Sequence, residues 1–193
     1  MSFWRQREAA QKLLSLERGH GRRCVGDRLR VVLAFPNTYY VGMSNLGVQT
    51  VHHLFNAENG VSCERVFLPP KQELRALLSS RTPLLTLDTQ TPVSDFDVLA
   101  FTVSFEWDYV NILTMMRLSG MPVYASERTD LHPLVVLGGA VTFLNPEPLA
   151  PFVDVVAAGE GEALIPSLVS TVSATDRRTA LRRLATLPGF YVP

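Results

Sequence analysis

The residues best suited to chemistry in this chain follow short apolar runs that are typical of buried β-strands. Four segments come directly after such runs: residues 37–44, 104–106, 138–140 and 159–162. Three of the four contain glycine, which lets the backbone approach a bulky ligand or adopt a positive φ. Glycine at a strand end is also ordinary loop punctuation. Because several strand exits share the feature, the sequence favours a binding site.

Two carboxylates mark the last of these segments, Gly159-Glu160-Gly161-Glu162. They stand at the entrance of a predicted helix, where the helix dipole stabilises a carboxylate by about 0.3–1 kcal/mol. N-terminal capping is therefore a strong alternative to a functional role. In the functional interpretation the carboxylates accept hydrogen bonds from a ligand hydroxyl or amide. Paired negative charge at this position disfavours a free phosphate.

The elements that must position these segments alternate along the chain. Apolar runs predict strands at 29–35, 63–68, 96–104, 134–137 and 153–157. Helices are predicted at 3–18, 43–56, 70–78, 108–118, 162–172 and 177–187, followed by an extended tail. This alternation predicts a parallel sheet with helices on both faces and the strand exits along one edge. We expect a three-layer α/β fold with an N-terminal helix extension.

Composition disfavours several other classes of protein. Eighteen basic and eighteen acidic side chains cancel, so no net charge favours nucleic acid or an anionic membrane. The longest uncharged run, residues 133–146, is too short to span a bilayer, and the charged N-terminus is unlike a signal peptide. Cys24 and Cys63 have no metal-ligand spacing. We expect a cytoplasmic protein that binds neither nucleic acid nor a membrane.

The common phosphate-binding motifs are absent. The sequence contains no GxxxxGK[ST], and no GxGxxG follows the first strand. A phosphoreceiver domain needs acidic residues at the strand ends where Asn37 and Ser104 stand. A flavin site is harder to dismiss, because residues 37–45 supply a thin version of the Ser/Thr/Gly-rich loop of flavodoxins.

Three longer segments together resemble a known family. They read FPNTYYVGMSNLG, DFDVLAFTVSFEWDYVNIL and VVLGGAVTFLNPEPLAPFVDVVAAGEGE. In this order they are similar to the cobalamin-binding-like N-terminal domain of radical S-adenosylmethionine (SAM) proteins, and more narrowly to a bacterial branch of them. The resemblance covers roughly residues 28–172 and implies a three-layer, flavodoxin-like sheet with strand order 2-1-3-4-5.

The resemblance implies three cofactor-binding elements: a DxHxxG loop, an SxL element and a GG pair. In the first, Asn37 and Tyr39 replace the Asp and the cobalt-ligating His, while Gly42 matches. Ser104 matches the second element, and Gly138-Gly139 the third. A phenol, with its pKa near 10, is a poor cobalt ligand. Any cobalamin must then bind without a histidine axial ligand, which the radical SAM relatives permit.

The predicted cofactor-binding residues are therefore spread over all four strand exits. They are Asn37, Tyr39, Gly42, Met43, Ser44, Ser104, Phe105, Glu106, Gly138, Gly139, Gly159, Glu160, Gly161 and Glu162. No catalytic residue and no metal ligand is predicted in this chain.

The resemblance also implies a catalytic barrel after this domain, with a CxxxCxxC motif for a [4Fe–4S] cluster that works with SAM. The chain contains no such motif, so we expect it to bind or to cap the barrel and not to catalyse alone. The expected layout is a helix and linker at 1–27, the α/β domain at 28–175, and a helix and linker toward the barrel at 176–193. Two alternatives stay open: a cofactor-free domain that docks on the barrel, and a flavin-binding, flavodoxin-like domain.

Overall fold

A computed structural model describes residues 3–18 and 29–193 of the chain. Its strands are β1 (Leu29–Phe35), β2 (Val61–Phe67), β3 (Val98–Thr102), β4 (Leu134–Gly138), β5 (Val155–Ala157) and β6 (Phe190–Tyr191). They form one six-stranded sheet in the order β2-β1-β3-β4-β5-β6. The first five strands are parallel, and β6 pairs antiparallel with β5. The predicted order of five strands is confirmed, and the extended tail adds a sixth.

Helices cover both faces of the sheet. They are α1 (Phe3–Leu16), α2 (Tyr39–Met43), α3 (Leu46–Ala57), α4 (Lys71–Ser80), α5 (Tyr109–Leu118), α6 (Val141–Leu144), α7 (Gly161–Ser173) and α8 (Arg177–Leu184). Helices α3, α7 and α8 pack on one face, and α4 and α5 on the other. The predicted three-layer, flavodoxin-like class is confirmed.

Burial on both faces explains why the strands read as unbroken apolar runs. Along β1, Val31 and Leu33 belong to the cluster under α3 and α7, while Val32 and Ala34 belong to the cluster under α4 and α5. Successive side chains of a strand point to opposite faces. A strand covered on both sides therefore carries no polar face and shows no alternation.

The helix predicted at 43–56 begins later, at Leu46, because Asn45 caps it. The Asn45 side chain accepts a hydrogen bond from the backbone N–H of Val48 at 3.3 Å, as N-cap residues do. The residues before this cap form the separate helix α2, which is only five residues long. The exit of β1 is thus a short helix instead of an open loop.

Residues 176–193, predicted as a helix and linker, pack onto the domain. Ala180 and Leu184 of α8 are buried, and the last residues supply β6. Arg177 of α8 pairs with the buried Asp154 at 2.6 Å, just before β5. The linker predicted before β1 lies, from residue 19 to residue 27, outside the described residues.

No helix within the two described ranges is long and apolar enough to cross a bilayer.

Candidate functional site

A cavity of about 420 Å³ opens at the carboxyl edge of the sheet, between helices α3 and α7. Leu33, Ala100 and Val136 of the three central strands line it, together with apolar side chains of both helices. Phe190 of β6 contributes to the same wall. The volume falls within the range of about 300–1,000 Å³ that ligand pockets usually have. The sheet edge therefore leaves room for a ligand or for part of a larger one.

Two of the four predicted strand exits line this cavity. They contribute Gly138, Gly139, Gly159, Glu160, Gly161 and Glu162. Gly139 has φ +94°, and a Cβ there would lie 2.5 Å from the carbonyl oxygen of Val103. Glycine is therefore required for the exit of β4 to pack directly on the backbone that leaves β3. This close approach joins two strand exits at one side of the cavity.

The exit of β1 lies outside the cavity lining and is held by the protein itself. The Asn37 side chain donates to Asp108 at 3.2 Å, and the Asn37 carbonyl accepts from the N–H of Leu68 at 2.9 Å. A Cβ on Gly42 would collide with the ring of Phe67. Gly42 is thus explained by the packing of α2 against the end of β2. Ser44 Oγ donates to backbone carbonyls of α2.

Tyr39 stands where the resemblance places a cobalt-ligating histidine, but its side chain is engaged elsewhere. Its hydroxyl donates to Glu17 at 2.8 Å, and its ring packs edge-on against Phe67 at 5.4 Å. Burial, together with the hydrogen bond to Glu17, raises the pKa of Tyr39 to about 12. The phenol is neutral at physiological pH and does not line the cavity, so it supplies no cobalt ligand there.

The buried Arg65 organises this side of the edge. Its guanidinium contacts both oxygens of Glu17, at 2.8 and 2.9 Å, and Asp88 at 2.6 Å. It also donates to the sulfur of Met43 at 3.5 Å. Burial lowers the pKa of Arg65, but the two carboxylates outweigh it and leave the pKa above its ordinary value. Strand β2, the residue after α1 and helix α2 are thereby tied together without a ligand.

The exit of β3 is divided between an internal contact and exposed side chains. Ser104 Oγ accepts a hydrogen bond from the Asn45 side chain at 3.1 Å, which fixes the loop to the start of α3. The next two residues, Phe105 and Glu106, are exposed and do not line the cavity. Thr102, the last residue of β3, does line it.

Exposed apolar side chains follow the carboxyl ends of the strands and form what we call the apolar rim. The rim consists of Tyr40, Leu46, Phe105, Trp107 and Phe143. Trp107 is 92% exposed, and Leu46, which also lines the cavity, is 76% exposed. Exposed apolar surface of this kind marks contact sites for ligands or partner domains.

Sequence reasoning missed two hydroxyls of the cavity wall, those of Thr50 and Thr102. Among the described residues neither hydroxyl has a hydrogen-bond partner. The available signals were weak. Thr50 lies four residues from both Leu46 and Leu54 and so shares their face of α3, while Thr102 ends a buried strand. Phe190 was also missed, because its place depends on β6 joining the sheet.

The charged lining residues of the cavity are Glu160 and Glu162. Glu160 precedes α7, yet its side chain makes no capping hydrogen bond. Neither carboxylate has a hydrogen-bond or ion-pair partner within residues 3–18 and 29–193. In the same ranges, no group of three or more His, Cys, Asp and Glu side chains could hold a metal ion.

The chain matches the protein-family model "Radical SAM proteins, N-terminal" over residues 47–193. The chain belongs to this family. The match to the radical SAM N-terminal family begins within α3 and includes the exits of β3, β4 and β5, whereas residues 37–44 precede it. Membership implies a radical SAM catalytic domain as partner. No curated protein and no solved structure matches the chain.

Proposed function

We propose that this radical SAM N-terminal domain is a binding module that holds part of a cobalamin-type corrinoid in the cavity between α3 and α7. The observation that carries the proposal is the convergence of the ends of β3, β4 and β5 on one cavity. Open α/β sheets bind their ligands outside the carboxyl ends of the strands. The domain contributes binding, and the chemistry belongs to its partner.

The residues present fit a corrinoid in two respects. The cavity has mostly apolar walls, which suit a broad ring or its nucleotide base, and its carboxylates suit the amide groups at a corrin edge. A cavity of about 420 Å³ receives only part of so large a molecule. Among the described lining residues there is no histidine, so cobalt would be held without a protein imidazole.

Each part of the wall has a distinct role in this proposal. The exits at 138–140 and 159–162 bring backbone close to the ligand, and the side chains of α3 and α7 exclude water from it. A bound corrinoid supplies cobalt-centred alkyl or radical chemistry. The iron–sulfur cluster and SAM would be held by the catalytic domain.

Titration with hydroxocobalamin tests the proposal. The protein is expected to shift the corrin absorption spectrum, and Gly138→Leu is expected to weaken binding at least about tenfold by filling the cavity. A Cβ at Gly138 would meet nothing closer than 3.7 Å, and circular dichroism of the variant checks that the leucine protein folds. Ser170→Leu adds the same side chain on the exposed face of α7 and serves as control. An unshifted spectrum at high micromolar cobalamin, or equal affinity in the Gly138 variant, would refute the proposal.

The apolar rim supports a second candidate function, a cofactor-free domain that docks on the catalytic domain. Association of the chain with its radical SAM catalytic domain, measured by sedimentation velocity, should then need no corrinoid. The double variant Phe105→Ser/Trp107→Ser should weaken it. Leu131→Ser, which alters an equally exposed apolar residue before β4, should not. Association that requires cobalamin, or that survives loss of both aromatic residues, contradicts this candidate.

A further inference from the structure

The charge of the cavity wall restricts what can bind there. No lysine, arginine or histidine occurs among the described lining residues, and the two ionisable ones, Glu160 and Glu162, are acidic. Carboxylates accept hydrogen bonds from amide, hydroxyl and ammonium groups and attract cations. They repel a carboxylate or phosphate brought to the same place. The wall therefore favours ligands that are neutral or cationic where they meet α7.

Both carboxylates are available for such contacts. Glu160 occupies the N-cap position of α7 but leaves the cap unbonded. Among the described residues no cation pairs with Glu160 or Glu162. Both are exposed, so a ligand can reach them from solvent. Neither carboxylate is therefore engaged in a side-chain contact that stabilises the described part of the fold.

The interior of the cavity offers hydroxyl and apolar groups to a ligand instead of carboxylates. Thr50 and Thr102 are half-buried and supply wall hydroxyls that have no hydrogen-bond partner among the described residues. A hydroxyl can donate to a ring nitrogen or accept from an N–H. The remaining lining side chains are apolar. The wall thus suits an apolar body with few polar atoms inside and donor groups toward the carboxylates.

From this distribution we infer that Glu160 and Glu162 select corrinoids whose peripheral side chains are intact amides, and reject those that carry a free carboxylate at that edge. The inference rests on the proposed function and names the specificity of the same site. An amide N–H donates to a glutamate, whereas a corrin carboxylate in its place adds charge repulsion without a donor. The positive charge of hydroxocobalamin in its aquo form favours the same wall.

The test compares hydroxocobalamin with its monocarboxylate derivatives, in each of which one amide is hydrolysed. Affinities are measured by spectral titration at low and at high salt. The native protein is expected to prefer the intact amide over at least one derivative about three- to tenfold. The preference should shrink at high salt and vanish in Glu160→Gln/Glu162→Gln. Glu127→Gln/Glu147→Gln removes the same two charges from exposed positions outside the cavity lining and should keep the preference.

The outcomes separate the inference from the proposal beneath it. Equal affinity of the native protein for hydroxocobalamin and every derivative, or a preference that persists in the double Gln variant, overturns the inference while cobalamin binding stands. Absence of binding by hydroxocobalamin itself overturns the proposed function, and the inference with it.

Discussion

The two halves of the carboxyl edge of the sheet differ in whether the polar side chains at the strand exits are paired within the fold. Beside β1 and β2, the polar side chains bind one another, as Tyr39, Glu17 and Arg65 do. Beside β3, β4 and β5, the glycines leave a cavity, and the hydroxyls and carboxylates of its wall lack partners among the described residues. Buried polar groups are normally satisfied within the fold. A polar residue at a strand exit is thus informative about ligands only where the fold has not already paired it.

We call the half beside β1 and β2 the closed half, and the half beside β3, β4 and β5 the open half. A substitution at the centre of the closed half should have the largest effect on stability. Arg65→Met removes the guanidinium that contacts Glu17 and Asp88 in a largely buried site, and we expect the free energy of unfolding to fall by about 3 kcal/mol. Urea unfolding followed by circular dichroism measures the change. Arg117→Met on the exposed face of α5 is the control and should stay within about 0.5 kcal/mol. If Arg65→Met lowered the free energy of unfolding by less than about 1 kcal/mol, the ion pairs of Arg65 would not be what holds the exits of β1 and β2 together.

Two adjacent glycines of the open half differ in the space available for a side chain. Gly139→Ala places a Cβ against the backbone of Val103 at φ +94°, and a cost of about 2–3 kcal/mol is expected. Gly138→Ala meets nothing closer than 3.7 Å and should be neutral or slightly stabilising. Thermal unfolding of both variants gives the comparison. Similar stability of the two would show that the approach of the β4 exit to the β3 exit does not depend on glycine.

Two threonines compare a paired with an unpaired hydroxyl. Thr86 is buried and donates to Glu64 at 2.6 Å, so Thr86→Val should cost about 1–2 kcal/mol. Thr50→Val removes a hydroxyl without a partner among the described residues and should change stability by less than about 0.5 kcal/mol. Urea unfolding of both proteins measures the difference. An equal cost at the two positions would imply that the hydroxyl of Thr50 already serves the fold.

The last comparison concerns the pH dependence of the closed half. The folded pKa of Tyr39, about 12, lies above the ordinary value of 10, so its stabilising contribution is complete below pH 10 and is lost as pH rises toward 12. Stability of the native protein should therefore fall more steeply over this interval than that of Tyr39→Phe. The difference between the two proteins at pH 8 provides the baseline. Parallel pH profiles would place the phenol in solvent, away from Glu17.

Local patterns were sufficient to predict the fold but only part of the cavity. Unbroken apolar runs and helical periodicity are properties of neighbouring residues, and they predicted five strands, whereas the order of the strands was expected from the family resemblance. The exits at Gly138-Gly139 and at 159–162 were recognisable because several predicted strand exits carry glycine, which lets the backbone approach a ligand. What the sequence could not tell is that residues 37–44 would lie outside the cavity. That depends on pairs distant in the chain, such as Tyr39 with Glu17 and Gly42 with Phe67.

The antiparallel strand β6 bears on how the domain can be dissected. It covers the open hydrogen-bonding edge of β5, while Leu184 fills the core just ahead of it. A fragment that ends at residue 175 would lose both, together with the aromatic ring of Phe190. Such a fragment would present the unpaired backbone of β5 as a template for self-association. Ligand binding measured on it would report on a cavity that lacks part of its wall. We therefore expect an independently folding version of this domain to extend through Tyr191.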